Sequence, residues 1–422
     1  MPLPMAGPSA ALPSTVSERL GSASRWLARW SAYLQERGDL RALGRVFVII
    51  FFMRYVLMPC VGFLVNASFP LDQAQSFSVF KEPNVFWDIF ARYDSGWYYT
   101  IARDGYRYTA DGPSNLAFFP LYPMLMRGLG GLLGGEQHHY YLAGMLISRA
   151  AFIGAIVLLF ALARRDLGDE GAQRAVLYIS IFPFAFFFSR VYTESLFLLL
   201  SVAAVWAFRT RRWAIGGLAG GLAALTRVNG ILLILPLAVL VAEDAWRRRA
   251  KPRELVRPLL GLAMVAGGLA VFCAYSFTVA GSAWAWADSI REWDYDPGGW
   301  PWAPVIALAR QLVRRPYEFL ALEPNGPYDS LNGITAGLVV LSIPFIWRRL
   351  GAAYGLLVLV NLWLPLSSGQ FVGLGRYCAV LFPFFIWLAS FRSSTLRDLV
   401  VITFVSLYVL CLSMFVKLHP IF

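Results

Sequence analysis

The stretch LLGLAMVAGGLAVFCAYSFTVAGSAWAWA, from Leu259 to Ala287, contains no charged side chain. Residues 352–375 and residues 399–416 are also free of charge. Each run is close to or above the roughly 20 apolar residues that cross the hydrocarbon core of a bilayer as a helix. These runs predict an integral membrane protein with several spans.

The composition of the whole chain supports this prediction. Hydrophobic residues make up 58% of the 422 residues, charged residues only 15%, and the mean hydropathy is +0.58. A soluble domain usually carries about 25% charged residues. The cysteines lie in or beside apolar segments without C-x-x-C spacing, which indicates buried apolar side chains rather than disulfides or metal ligands. They are Cys60, Cys273, Cys378 and Cys411.

The net charge of +12 does not indicate a nucleic-acid partner, because the basic residues cluster in short connections between apolar segments. Such clusters mark the cytoplasmic side of a membrane protein. We therefore predict an all-α polytopic membrane protein with about eleven transmembrane helices. The predicted spans lie near residues 46–65, 140–163, 174–189, 192–208, 213–225, 228–242, 257–280, 331–347, 352–366, 376–391 and 396–415.

The predicted organisation has two parts. Residues 1–44 are polar and Arg-rich, and they are expected to form a cytoplasmic segment, either a helix on the membrane surface or a solvated leader. Residues 45–422 are expected to form one transmembrane domain. Two long loops, residues 67–139 and 281–330, would face outward, and loops of this size are usually functional.

One apolar stretch, residues 116–133, is long enough to be read as another span. Counting it would place the basic pair at residues 164–165 outside and reverse every later span. Residues 116–139 are therefore interpreted as a re-entrant segment, which suits their Pro and Gly content.

The first outward loop contains the most informative sequence, FARYDSGWYYTIARDGY, from Phe90 to Tyr106. Asp94 has Tyr and Trp residues on both sides. A carboxylate can accept a proton from a sugar hydroxyl, and aromatic rings can cover the apolar face of a sugar. The alternative is an interfacial aromatic belt with an incidental carboxylate, which spacing alone favours.

An ordered set of motifs in this region closely resembles bacterial relatives of the GPI mannosyltransferase II (PIG-V) family. Those proteins resemble the wider GT-C class of membrane glycosyltransferases. The matching residues are ARYDSGWY at 91–98, Ile101-Ala102, Gly105-Tyr106 and NLAFFPLYP at 115–123, with weaker echoes at 192–197, 225–230 and 375–377.

The resemblance implies a GT-C-like bundle that transfers one hexose, mannose in the family, with inversion. The implied donor is a polyprenyl-phosphate sugar. The implied acceptor is a hydroxyl on a glycolipid, glycan or protein, reached at the outer face of a bacterial cytoplasmic membrane. The key acidic residue of the first outer loop corresponds to Asp94. The pair Ser95-Gly96 departs from the eukaryotic pattern, which favours a bacterial acceptor over a GPI precursor.

Transfer from a lipid phosphate also needs cations for the departing phosphate. Arginines at membrane depth are costly and therefore functional candidates, and the planar guanidinium can bond two phosphate oxygens at once. Phosphate binding is favoured for Arg376 over helix-end snorkelling, and the two readings are even for Arg227. With Asp94 as the catalytic residue, the predicted substrate-binding residues are Arg92, Tyr93, Trp97, Tyr98, Asp104, Asn115, Arg227, Asn229, Arg376 and Tyr377.

Other charged groups suggest simpler roles. Arg190 and Glu194 are predicted to form a structural ion pair, and Asp104 is more typical of a solvated carboxylate. His138 and His139 lack the further ligands of a metal site, so no metal residue or cofactor is predicted, and a divalent-metal requirement is left open. The Trp and acidic residues of the second loop fit a cover over the acceptor or an aromatic belt equally well.

Two other functions are compatible with the sequence. A lipid or sugar transporter, or a flippase, would also place Arg and Glu residues within many spans, although no clear inverted repeat is visible. A non-catalytic scaffold for envelope assembly would not need the ordered motifs around Asp94.

Overall fold

The computed structural model describes residues 40–69, 86–109, 112, 114–293 and 298–421. The chain divides into two compact units, residues 1–51 and residues 52–422. Of the predicted N-terminal segment, residues 1–39 lie outside the described residues.

All regular elements in the described part of the chain are helices, which confirms the all-α prediction. The first half contains α1 (Leu40–Phe52), a π-helical turn (Met53–Leu57), α2 (Met58–Ser68), α3 (Trp87–Phe90), α4 (Asp94–Asp104), a 3-10 turn (Asn115–Ala117), α5 (Leu121–Leu133), α6 (Gln137–Ile181), a 3-10 turn (Ala185–Ser189) and α7 (Glu194–Arg209). It continues through α8 (Trp213–Ala224), a 3-10 turn (Val228–Leu233), α9 (Ile234–Arg248) and a 3-10 turn (Pro252–Leu255). The remainder contains α10 (Val256–Ala280), α11 (Ala285–Arg291), α12 (Ala303–Arg314), α13 (Pro316–Ala321), α14 (Gly326–Leu350), α15 (Ala352–Ser367), α16 (Leu374–Ala379), α17 (Phe382–Ala389) and α18 (Ser394–Val416).

Six helices of the described residues are long and apolar enough to cross a membrane. A helix satisfies its own backbone hydrogen bonds, which a lipid environment requires. The predicted number of eleven spans is not confirmed, because other apolar segments are short or broken. The six candidates are Gly44–Ser68, Gln137–Ile181, Val228–Arg248, Pro252–Ala280, Gly326–Leu350 and Ser394–Val416.

The predicted span at 174–189 is wrong beyond Ile181. Helix α6 bends at Gly168, where φ is 71°, and ends at Ile181. Phe182, which has ψ 144°, precedes Pro183, and proline disfavours the helical conformation of the residue before it. The chain then continues as a buried irregular segment, residues 182–193.

Arg54 satisfies part of the backbone that this break exposes. Its guanidinium donates to the carbonyls of Ser180 and Ala185 and to Ser189 Oγ at 3.1, 2.9 and 2.8 Å. Irregular backbone at membrane depth is tolerated where protein groups satisfy it. The buried Arg54 therefore fixes the segment that leads to α7.

Helices α8 and α10 approach closely through small residues. A Cβ on Gly217 would lie 2.5 Å from the carbonyl oxygen of Gly261, and one on Gly268 would lie 2.1 Å from that of Gly221. Small residues allow helix backbones in membrane proteins to approach in this way. The contact positions the turn after α8, which carries Arg227.

The stretch at 116–133 contains only the short helix α5 of 13 residues, below the length that spans a bilayer. Its first backbone N–H, on Leu121, donates to the Leu225 carbonyl at 2.9 Å. The Tyr122 hydroxyl donates to the Gly144 carbonyl at 2.9 Å. These bonds attach α5 to the helices around it, and re-entry into the membrane stays a prediction.

Candidate functional site

Asp94 is the first residue of α4, and the chain turns immediately before it. Tyr93 has φ 51° and ψ −116°, a positive-φ conformation that residues other than glycine rarely adopt. Such strain persists only where the surroundings hold it, and it is often found at functional sites. The turn separates α3 from α4 and places the Asp94 carboxylate at the start of a helix.

The residues at and after the end of α18 hold this turn. The Tyr93 hydroxyl donates to the His419 carbonyl at 2.9 Å. Arg92 donates to the Val416 carbonyl at 3.2 Å and to the Asp88 carbonyl at 2.8 Å. Both side chains are buried. Arg92 and Tyr93 thus brace the backbone beside Asp94 instead of facing open space.

Four charged side chains converge next to this turn. Arg376 NH1 lies 2.7 Å from Asp94 Oδ2 and 3.8 Å from Glu194 Oε1. Arg227 NH1 lies 2.7 Å from the same Glu194 oxygen. The two arginines and two carboxylates form a network with no net charge. Each member lies at a helix start, in a short helix or in a turn between helices.

The network is buried but its hydrogen bonding is incomplete. The side chain of Glu194 is 1% exposed, that of Arg376 10% and that of Asp94 24%. Arg376 Nε and Glu194 Oε2 are buried without a hydrogen-bond partner among the described residues. Buried polar atoms are normally paired, so these two atoms mark a site where a ligand could complete the bonding.

A cavity of about 420 Å³ lies against this network. Its lining includes both carboxylates and both arginines, together with residues from the second predicted loop and from α15. Most of the other lining side chains are apolar or aromatic. Convergent charged groups in a mainly apolar pocket are typical of a ligand or active site.

Aromatic side chains form one wall of the cavity. Phe118 and Trp293 line it, and their rings meet edge to face at 5.9 Å. Trp97 stacks on Phe118 at 5.8 Å from behind, outside the cavity lining. Tyr98 is buried beside them, and burial raises the pKa of its phenol. Tyr98 therefore stays protonated and can serve as a hydrogen-bonding group but not as a base at neutral pH.

The structure brings together six of the residues that the sequence singled out. Asp94, Tyr98, Arg227, Asn229, Arg376 and Tyr377 all line the cavity. The Tyr377 ring lies 4.7 Å from the Arg227 guanidinium carbon, and Asn229 donates to the Asn361 carbonyl at 3.0 Å. These contacts fix Arg227 and its neighbours at the cavity wall.

The other predicted substrate-binding residues do not line the cavity. Arg92 and Tyr93 brace the turn, and Trp97 supports the aromatic wall. Asp104 forms an exposed pair with Arg103, whose hydrogen bond lowers the pKa of the carboxyl. Asn115 closes a loop by accepting from the Arg107 backbone N–H at 2.9 Å.

The predicted ion pair between Arg190 and Glu194 is wrong. Helix α7 begins only at Glu194, so the two residues do not share a helix face. The Arg190 guanidinium lies 4.9 Å from the Phe90 ring centre and 5.9 Å from that of Phe415. Glu194 instead joins the network of Arg227 and Arg376. The sequence signal for this role was the position of Glu194 in an apolar run, within the weaker motif match at residues 192–197.

A second group of possible metal ligands lies outside the cavity. Glu136, His138 and His139 have ligand atoms within 4.8 Å of one another. Glu136 and His138 are exposed, and these groups also pair with each other and cap the start of α6. They supply no ligand to the cavity.

Comparisons with known proteins agree with the motifs. Residues 120–275 match the family described as dolichyl-phosphate-mannose-protein mannosyltransferase. The chain is 32% identical over 158 residues to GPI alpha-1,6-mannosyltransferase 2 of Rattus norvegicus, and 33% identical over 156 residues to that of Mus musculus. The matched stretch is 34% of this chain and 30% of the rat protein, so it spans less than a third of these relatives.

Solved structures with a similar arrangement are more distant in sequence. ArnT from Cupriavidus metallidurans bound to undecaprenyl phosphate has a TM-score of 0.46 and 13% identity, covering 88% of this chain and 77% of that chain. An oligosaccharyltransferase from Archaeoglobus fulgidus in the apo form has a TM-score of 0.41 and 12% identity, covering 87% and 56%. The resemblance to the GPI mannosyltransferase II family that the motifs predicted is confirmed: part of the chain matches two proteins named GPI alpha-1,6-mannosyltransferase 2, and residues 120–275 match a mannosyltransferase family.

Proposed function

We propose that this protein is an inverting glycosyltransferase of the membrane. It moves one hexose from a polyprenyl-phosphate donor to a hydroxyl of a glycolipid, glycan or protein acceptor at the outer membrane face. Mannose is the proposed hexose, because the family match and the relatives are mannosyltransferases by name. The proposed location is a bacterial cytoplasmic membrane.

The observation that carries the proposal is the position of the Asp94 carboxylate beside two arginines in one aromatic-walled cavity. Transfer of a sugar from a phosphate requires a base for the incoming hydroxyl and positive charge for the leaving phosphate. Both groups must act on one sugar ring. The lining of one cavity supplies each of these elements.

Asp94 is proposed as the general base. It is the most exposed of the four charged groups, at 24%, and it starts a helix whose position is braced by the turn before it. In the reaction the acceptor oxygen attacks the anomeric carbon, the bond from that carbon to the phosphate oxygen breaks, and the hydroxyl proton passes to Asp94. A base acts in this way when it lies within hydrogen-bond reach of the attacking oxygen.

Arg376 and Arg227 are proposed to bind the phosphate. The departing polyprenyl phosphate gains one negative charge as the bond breaks. Preorganised positive groups in a site of low dielectric stabilise such developing charge strongly. Glu194 holds both arginines and is itself fully buried, so it is proposed as a positioning residue rather than as the base.

The aromatic wall is proposed to bind the sugar. Phe118 and Trp293 present ring surface to the cavity, and Trp97 supports Phe118 from behind. The apolar faces of a hexose pack on such rings, while its hydroxyls need polar partners such as Tyr98. The choice of mannose over glucose rests on the relatives.

The test is transfer by the purified full-length protein, supplied in parallel with polyprenyl-phosphate mannose and polyprenyl-phosphate glucose and with a cellular lipid and glycan extract. Mass spectrometry would identify the products. We expect Asp94→Asn to lower transfer by about 100-fold or more. The matched control is Asp104→Asn, which removes an exposed carboxylate of the same helix and should leave transfer unchanged.

Near-normal transfer by the Asp94→Asn variant would refute the assigned base. A protein that yields no product from either donor, yet moves a lipid or sugar across proteoliposomes, would be a transporter or flippase. The proposed function would then be wrong as a whole.

A further inference from the structure

Arg376 lies near two carboxylates at unequal distances, and the donor phosphate would be a third negative group beside it. Its NH1 atom bonds Asp94 at 2.7 Å and lies 3.8 Å from Glu194. Its guanidinium also lies 5.3 Å from the Phe187 ring centre and 5.2 Å from that of Tyr192. Its Nε has no hydrogen-bond partner in the described part of the chain. The shortest polar contact of Arg376 is therefore the one to the proposed base.

The chemistry of transfer moves negative charge away from that base. The donor is a phosphodiester with one negative charge, and Asp94 carries another. After the acceptor proton has passed to Asp94, the carboxyl is neutral and the polyprenyl phosphate monoester carries both charges. The total is unchanged, but one unit has moved from the carboxylate to the phosphate. A cation bonded to Asp94 at the start would oppose this proton transfer unless it can follow the charge.

The two arginines differ in how readily each could leave its carboxylate and move towards the phosphate. Arg227 bonds Glu194 at 2.7 Å, and the Glu194 side chain is 1% exposed. Breaking that pair would leave a buried carboxylate uncompensated, which is costly. Asp94 is far more accessible, at 24%, so losing Arg376 would leave it partly solvated. Arg376 is therefore the cation that can be withdrawn at lower cost.

We propose that the donor phosphate competes with Asp94 for Arg376. Donor binding draws the guanidinium from the carboxylate to the phosphate, which frees Asp94 to accept the hydroxyl proton. The base is thus held by an ion pair until a phosphate is present, and donor should bind before acceptor. This inference rests on the proposed function and adds to it a control of the base by the donor.

Competition for one cation has a consequence that a purely structural ion pair would not have. If Asp94 and the phosphate share Arg376, removing the charge of Asp94 should tighten phosphate binding even though it abolishes transfer. Part of any tightening could come from the loss of a negative charge near the phosphate. Only the part that requires Arg376 reports the competition, and a double-mutant cycle isolates it.

The experiment measures binding of undecaprenyl phosphate to the full-length protein in detergent, without acceptor. We expect Asp94→Asn to lower the dissociation constant by about 5-fold, the scale of a partly exposed ion pair. Arg376→Gln alone should weaken binding. In the Arg376→Gln background, adding Asp94→Asn should tighten binding by less than about 2-fold. Asp104→Asn is the matched control and should change nothing.

The inference is overturned if Asp94→Asn leaves binding unchanged or weaker, or if the full tightening persists in the Arg376→Gln background. If Arg376→Gln yields no folded protein, Arg376→Met takes its place in the cycle, because an apolar side chain leaves no buried donor unpaired. Unchanged or weaker binding by Asp94→Asn overturns the inference in either case. Failure of the proposed function looks different, because the wild-type protein would then bind no undecaprenyl phosphate or transfer no sugar.

Discussion

Two arginine–carboxylate networks lie in different parts of this protein, and they differ in how fully they are bonded. Arg209 donates to both oxygens of Asp166 at 2.7 and 2.8 Å and to the Tyr354 hydroxyl at 2.6 Å. Arg376 makes one short bond to Asp94 and leaves its Nε unpaired among the described residues. The first network joins α6, α7 and α15, whereas the second lines a cavity.

The comparison distinguishes an ion pair that stabilises the fold from one that is still able to bind a ligand. A guanidinium that bonds both oxygens of one carboxylate has little capacity left for a ligand. A guanidinium with one short bond and a free buried donor is held in place but still able to bond. The same pair of residue types can thus stabilise the helices or serve a ligand, depending on which bonds the fold leaves open.

The largest effect that tests this comparison is expected at Arg376. Arg376→Lys keeps the positive charge but loses the planar fork that can bond two oxygens. We expect transfer to fall by about 30-fold, with little change in melting temperature. Measurement of transfer rate and thermal unfolding on the same preparation checks both parts. If the variant loses stability but keeps its transfer rate, Arg376 has a structural role like that of Arg209.

The matched substitution at Arg209 should give the opposite pattern. Arg209→Lys breaks a two-pronged bond to Asp166 and the bond to Tyr354, so stability should fall by about 1–2 kcal/mol. Transfer per folded molecule should stay unchanged, because Arg209 does not line the cavity. Thermal unfolding in detergent and a rate normalised to folded protein decide this. A specific loss of rate would show that the two networks are coupled.

The smallest effect is expected at the brace beside Asp94. Tyr93→Phe removes the hydroxyl that donates to the His419 carbonyl but keeps the ring that packs at 5.7 Å from Phe415. The strained turn should become less well held, and transfer should fall by about 3- to 5-fold. Binding of undecaprenyl phosphate should be unchanged, since Tyr93 does not line the cavity. An unchanged transfer rate would show that the C-terminal segment, through its bond to Tyr93, does not position Asp94.

Much of the fold could be predicted from the sequence, because a chain in lipid has few ways to satisfy its backbone hydrogen bonds. Long uncharged runs can satisfy their backbone only as helices, and this holds for Leu259 and the residues after it in α10. Prediction failed at residues 182–189, where the run stays apolar but the chain forms a short 3-10 turn instead of a continued α-helix. Pro183 ends the helix, and Arg54, distant in sequence, supplies the hydrogen bonds that make the break tolerable.

The candidate site was predicted in part for a similar reason. Arg227 and Arg376 were singled out because charge at membrane depth is costly, and Asp94 because of its aromatic neighbours and the motif around it. All three line the cavity. Glu194 was assigned to Arg190 because both residues lie near the predicted turn between the spans at 174–189 and 192–208. The irregular backbone before α7 removes that pairing, and the Glu194 side chain meets arginines that follow it by 33 and 182 positions.

The sequence alone determined that this protein is an all-helical membrane protein and that it resembles the GPI mannosyltransferase II family, because uncharged runs and ordered motifs are local properties of the chain. Only the tertiary structure decided which charges meet. Arg376 lies 282 positions from Asp94, and the Tyr93 turn is braced by residues more than 320 positions away. No local pattern encodes such contacts, because they depend on how broken helices end against one another.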